Sequence, residues 1–135
     1  GKGELVQDGE EVAILSIGHP GNFVIQACNV LAEKGIRPAH YNMRFVKPLD
    51  ENMMHEVGRR FKQVITIEDG TIVGGFGSAC LEFFAEHQYH PKVTMLGIPD
   101  RLVEHGKPAE LHRECAYDAQ AIVETVMKVL EPVLK

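Results

Sequence analysis

The stretch Glu68 to Phe84, EDGTIVGGFGSACLEFF, places an acidic pair and a run of glycines directly before apolar residues at helical spacing. Between a strand and a helix, such a loop can hold a phosphate on its backbone N–H groups. The details break both nucleotide motifs. Gly75-x-Gly77-x-x-Cys80 lacks the third glycine of a dinucleotide fingerprint, and the acidic residue expected about twenty positions later is missing. No Lys-Ser or Lys-Thr pair follows the glycines, so a P-loop fails as well. The structural alternative is that Gly70, Gly74, Gly75 and Gly77 let the backbone turn tightly and let a helix start press against a neighbouring surface.

Three other groups invite chemistry. Ser16-Ile-Gly-His-Pro-Gly-Asn22 also joins a strand to a helix start, where an anion could sit, although its proline offers no donor; a plain strand-to-helix turn is the competing reading. His87 and His90, with Glu82 and Glu86, could share a helix face as metal ligands, but Pro91 stops the helix and no HExxH or Cys-His cluster is present. Glu68 and Asp69 stand after a strand, at the carboxyl edge where open α/β sheets place ligands. One of them, desolvated beside the other, could do acid–base work; turn chemistry before glycine is the alternative. The cysteines Cys28, Cys80 and Cys115 form no CxxC pair and read as small buried hydrophobes, reduced in a cytoplasmic setting.

The bulk of the chain narrows the class. Its 135 residues, 44% hydrophobic, suit one domain over residues 1–135 with its own core. Fourteen Lys and Arg against nineteen Asp and Glu give a net charge of -5, which argues against nucleic acid or an anionic membrane as partner. No apolar run approaches the length of a membrane span. The opening GKGELVQDGEEV has no initiator Met and is already in the rhythm of a folded segment, so a fragment of a longer protein is expected.

These residues must be held by a repeating frame. Val12–Ile17, Ala39–Phe45, Val64–Ile67 and Val93–Leu96 read as buried parallel strands. Asp8-Gly9 marks a turn after an antiparallel edge strand at Glu4–Val6. Helices alternate with these strands. One is capped by Asn22 and ended by Gly35, a second is capped by Asp50 and runs through Phe61, and a third covers Gly77–His87. A loop with two prolines, a short helix near Ala109–Glu114 and a last helix over Ala119–Leu130 follow. The pattern predicts an α/β fold: an open, mostly parallel twisted sheet of about five strands with helices on both faces.

Longer strings go further than periodicity. RFVKPLDE (Arg44–Glu51), IEDGTIVGGFGSACLE (Ile67–Glu82), GIPDRLVEHG (Gly97–Gly106) and the opening GKGELVQDGEEVAILSIG, in this order, closely resemble the C-terminal, transketolase-like third domain of the 1-deoxy-D-xylulose-5-phosphate synthases. Two departures are GHPGN after the first buried strand and Leu102 where an aromatic is common. The resemblance implies a thiamine-diphosphate- and Mg²⁺-dependent transferase, a homodimer whose full chain condenses pyruvate with D-glyceraldehyde 3-phosphate. The product is 1-deoxy-D-xylulose 5-phosphate, a precursor of isoprenoids, thiamine and pyridoxal phosphate, formed with release of CO2. The cofactor motifs of that family lie on its N-terminal and pyrimidine-binding domains. No catalytic, cofactor or metal residue is therefore carried onto this chain, which by itself is expected to be inactive and to bind neither cofactor. Arg44, Lys47, Glu68, Asp69, Gly70, Gly74, Gly75 and Gly77 are the candidate contacts to those missing domains or to the dimer partner.

Two rival readings stay open. The third domain of a transketolase or of a 2-oxo acid dehydrogenase beta chain shares an Arg before Pro-x-Asp and an acidic-Gly turn after the next strand. A free-standing binding or regulatory α/β module is the other.

Overall fold

The computed structural model describes residues 2–44, 48–69, 75–98 and 108–134, the side chains of 108–117 and 132–134 excepted. Five strands, β1 (Glu4–Gln7), β2 (Val12–Ser16), β3 (Ala39–Asn42), β4 (Gln63–Asp69) and β5 (Lys92–Ile98), form one sheet in the order β1-β3-β2-β4-β5. Three of the four pairings are parallel, and the edge strand β1 runs antiparallel to β3. The helices are α1 (Gly21–Glu33), α2 (Glu51–Arg60), α3 (Gly75–Glu86) and α4 (Pro108–Leu134).

Every residue of β2 is buried, as a central strand covered on both faces requires. Its alternation splits the core in two. Val12 and Ile14 join Ile65 and Ile67 of β4 beneath α1 and α4, which contribute Val24, Ala27, Leu31, Ile122, Val123 and Val126. Ala13 and Leu15 face the other way, with Tyr41 and Val64, beneath Met54 and Val57 of α2 and Phe76, Cys80 and Phe84 of α3. Each fully buried aliphatic or aromatic side chain here contributes about 1.5–3 kcal/mol.

Several sequence expectations change. The edge strand is present, but β1 pairs with β3, so Asp8-Gly9 is not a hairpin turn onto β2. Gly9 lies flat against the backbone of Arg37 to Ala39, carrying the chain across the start of β3 to the centre of the sheet. Asn22 is not the cap of α1: the helix starts at Gly21, Pro20 occupies the cap position, and no side chain caps it. Gly35 does end α1. At φ 75°, it lets its own N–H reach Ala32 O (3.0 Å) and that of Ile36 reach Leu31 O (3.0 Å), closing the last turn as a Schellman motif.

The two helices expected near the C-terminus are one, α4, because no glycine or proline interrupts residues 109–131 and Pro108 is tolerated at the first helical position. β3 stops at Asn42 and α3 begins at Gly75, two residues early. Phe45, the end expected for β3, and Pro99 in the loop after β5 lie outside the described residues. No described helix is long and apolar enough to cross a membrane.

Candidate functional site

The strand order reverses around β2: its neighbour on one side is β3 and on the other β4. Open α/β sheets bind ligands at the carboxyl ends of strands flanking such a reversal. The glycine-rich loop and the GHPGN turn both belong to this edge, so what their N–H groups do decides the ligand question.

At α3 the answer is a side chain. β4 runs to Asp69, so Glu68 and Asp69 are its last two residues, paired in register with Gly97 and Ile98 of β5, and are not a turn. The alternation of the strand puts Glu68 on the α3 face, where it is 1% exposed. Its Oε2 accepts a hydrogen bond of 2.8 Å from the N–H of Phe76, in the first turn of α3. A helix N-terminus carries a partial positive charge that favours an anion. The chain supplies that anion itself. A phosphate there would meet a buried carboxylate, so the arrangement opposes nucleotide binding.

At α1 the donors are spent locally. The N–H groups of Gly21, Asn22 and Phe23 donate to Gly18 O (3.1 Å), His19 O (3.2 Å) and Pro20 O (3.1 Å), and that of Val24 reaches Pro20 O (3.3 Å). The turn is a self-contained connection and offers no anion cradle. Beneath it lies a pair that sequence reading missed. Ser16 Oγ and His40 Nε2 share a hydrogen bond of 2.7 Å, with Ser16 fully buried and His40 1% exposed. Burial holds the imidazole neutral, bringing its pKa down to about 4, against a smaller upward pull from Glu4. The pair resembles a nucleophile and its base, but its burial shuts it from substrate, and among the described residues Nδ1 has no orienting partner.

The remaining candidates resolve as follows. Cys28 and Cys80 are buried thiols. Burial lifts Cys28 to about 11; burial and then the charge of Glu68 lift Cys80 to about 12, so neither is a thiolate at neutral pH. The side chain of Cys115 is outside the described residues. His87 packs on Phe83 (4.2 Å between centroids) and on His55 (4.6 Å), and His55 Nδ1 pairs with Tyr89 OH at 2.8 Å. His90 falls beyond the end of α3. Among the described residues no three His, Cys, Asp or Glu side chains are grouped to hold a metal ion. Among the described residues, the donor set fits neither Mg²⁺ nor a diphosphate.

Gly77 makes its close approach within the chain: a β-carbon there would fall 2.5 Å from Met95 Sδ and 3.1 Å from Thr66 Oγ1. Gly75 is different, since a β-carbon there meets no described atom within 4 Å. Arg44 stands exposed at the end of β3 with φ 49°, its guanidinium 3.1 Å from Glu4 and its N–H donating to Asn42 Oδ1 at 3.2 Å. Lys47, Gly70 and Gly74 lie outside the described residues. Of the proposed contacts, then, Glu68 and Gly77 are turned into the fold, while Arg44 and Gly75 are on its surface.

Residues 1–122 match the family model "Transketolase, C-terminal domain". The chain is 58% identical over all 135 residues to the 1-deoxy-D-xylulose-5-phosphate synthase of Cytophaga hutchinsonii, spanning 21% of that protein. It is 48% identical over 132 residues to the synthase of Bacteroides thetaiotaomicron, covering 97% of this chain and 20% of that one. Among solved structures, a split-gene transketolase, described as an inactive beta4 tetramer, superposes with a TM-score of 0.75 at 28% identity, over 96% of this chain and 41% of its own. A 2-oxoglutarate:ferredoxin oxidoreductase from Magnetococcus marinus shares the fold, with a TM-score of 0.58 at 17% identity over 95% of this chain and 19% of that one. The chain thus spans about a fifth of the length of the synthases it matches. It belongs to the transketolase C-terminal domain family.

Proposed function

We propose that this chain is the C-terminal domain of a 1-deoxy-D-xylulose-5-phosphate synthase and serves that enzyme as a non-catalytic packing domain. The full-length protein would release CO2 from pyruvate and join the remaining two-carbon unit to the aldehyde of D-glyceraldehyde 3-phosphate. Thiamine diphosphate and Mg²⁺ would supply the electron sink and hold its diphosphate on domains outside this chain. A cytoplasmic homodimer is part of the same reading.

The observation that carries it is the occupied N-terminus of α3. The glycine-rich loop, whose composition suggests a phosphate, has its helix start filled by Glu68, while Gly75 beside it is exposed with no described atom facing it. Such an edge suits contact with another protein surface better than capture of an anion. Arg44 and Gly75, with Lys47, Gly70 and Gly74, would form that contact, and Asp69 would stand beside them.

Gly75 separates the alternatives, because no described atom opposes a side chain there. In the isolated chain Gly75→Val should leave thermal stability within about 0.5 kcal/mol. In the full-length enzyme it should weaken dimer assembly and turnover together. Unchanged assembly and turnover would remove the packing role. A full-length protein unable to condense the two substrates when given both cofactors would remove the synthase assignment itself.

A further inference from the structure

Asp50 does more than cap a helix. Its Oδ1 accepts the N–H of Met53 at 3.1 Å, the cap expected of an Asp at the start of α2. Its second oxygen, Oδ2, accepts the N–H of Gly3 at 2.9 Å, across 47 positions of sequence. Gly3 is pressed so closely on the same place that a β-carbon would fall 2.7 Å from Met53 Sδ and 3.0 Å from Asn42 O. The next residue, Glu4, is held by the Arg44 guanidinium at 3.1 Å, and Arg44 takes a left-handed backbone conformation with its N–H on Asn42. All these fastenings of residues 3 and 4 come from the stretch 42–53 that joins β3 to α2. Because β1 pairs antiparallel to β3, with Glu4 opposite Asn42, residues 3 and 4 lie at the carboxyl edge of the sheet.

We infer that Asp50 is an orientation latch: one carboxylate ties the start of α2 to the incoming polypeptide and so fixes the direction from which preceding domains meet the carboxyl edge. The orienting role rests on the synthase reading above; the latch itself rests on this chain alone. The two oxygens have separable duties. Serine at position 50 keeps one acceptor for Met53 and loses the other. Asparagine keeps one acceptor and turns an N–H₂ donor toward the Gly3 N–H, which repels it.

The test begins with amide hydrogen exchange by NMR on the 135-residue chain. In Asp50→Asn and Asp50→Ser, the Gly3 amide should exchange about tenfold faster or more, while Met53 and the rest of α2 keep their protection. Gly3→Val, with the carboxylate intact, should release residues 3–6 in the same way. Gly3 protection unchanged in both Asp50 variants, or lost only together with all of α2, would overturn the latch. The second stage measures, in the full-length protein, the distance between a spin label on α2 and one on the preceding domain. A broadened or shifted distance in Asp50→Asn supports the orienting role, and an unchanged distribution overturns it. Wild-type condensation of pyruvate with glyceraldehyde 3-phosphate, assayed in parallel, tests the synthase reading independently.

Discussion

Glu68 at the end of β4 and Phe76 at the start of α3 are joined by a buried hydrogen bond of 2.8 Å, carboxylate to backbone N–H. It links strand to helix across the glycine-rich loop without using any residue of the loop. The consequence is that the positive end of α3 is already neutralised by a strand residue.

Removing that carboxylate should be costly. Glu68→Ala strands a helical N–H in a buried setting and is expected to lower stability by about 2–3 kcal/mol, whereas Glu68→Gln keeps an acceptor and should lose about 1 kcal/mol. Urea titrations of the two variants measure this directly. Equal losses would mean that the charge of Glu68 carries the whole cap and a neutral acceptor none of it, and no loss in Glu68→Gln would mean that the charge adds nothing. The Cys80 thiol should stay unreactive toward a thiol reagent at pH 8 in folded Glu68→Gln, since burial is the larger cause of its raised pKa.

Much of the frame was legible in the sequence for a simple reason: buried parallel strands are continuous apolar runs, and VAILSI and VITI are such runs. Asp50 was readable as a cap because a side-chain acceptor before a helix has a local cause. What was not readable depended on distance in sequence. Nothing local says that Glu68 turns toward Phe76, that Ser16 meets His40 from a strand 24 positions away, or that β1 pairs with β3 and not with β2. Asp8-Gly9 misled because a local turn signal does not specify which strand comes next to it. The α1 cap was misplaced because the GHPGN turn satisfies its own donors and needs no side chain.

The buried imidazole makes stability depend on pH in a defined direction. His40 titrates near 6.5 when unfolded and about 4 in the fold, so between these values the unfolded chain binds a proton that the folded chain refuses. Its contribution to stability is therefore complete above pH 6.5, falls as the pH drops through that value, and levels off below 4. The difference amounts to about 3 kcal/mol. Urea unfolding at pH 7, 5 and 4 should show this decline in the wild type and a flatter profile in His40→Gln. Parallel profiles would mean that His40 is not the group responsible.

Tyr41 tests a network at the opposite end of the sheet. Its hydroxyl donates to Glu56 Oε2 at 2.6 Å and accepts from Arg60 Nη1 at 3.1 Å, while its ring is fully buried against Phe61. Tyr41→Phe preserves the ring and removes only the hydroxyl, leaving two partners that can turn to water. A loss of about 1 kcal/mol is expected by thermal unfolding. A loss of 3 kcal/mol or more, about the cost of emptying a core site, would mean that the ring itself had shifted.

The tightest backbone approach predicts the largest single effect. Gly9 has no room for a β-carbon: Pro38 C and Ala39 N would stand 2.4 Å and 2.6 Å away, and backbone cannot swing aside as a side chain can. Arg60 clamps the same turn, its Nη2 donating to Asp8 Oδ1 at 3.1 Å and to Gly9 O at 3.3 Å, and Arg37 Nε donates to Asp8 O at 3.0 Å. Gly9→Ala must therefore lift the connection off β3 and break these bonds together, for an expected loss of about 3 kcal/mol. Arg60→Ala removes a partly exposed guanidinium bonded to Asp8, Gly9 O and the Tyr41 hydroxyl, and should cost about 1 kcal/mol. Denaturation midpoints that rank Arg60→Ala below Gly9→Ala in stability would show that the guanidinium, and not the close backbone approach, holds β1 to the edge of the sheet.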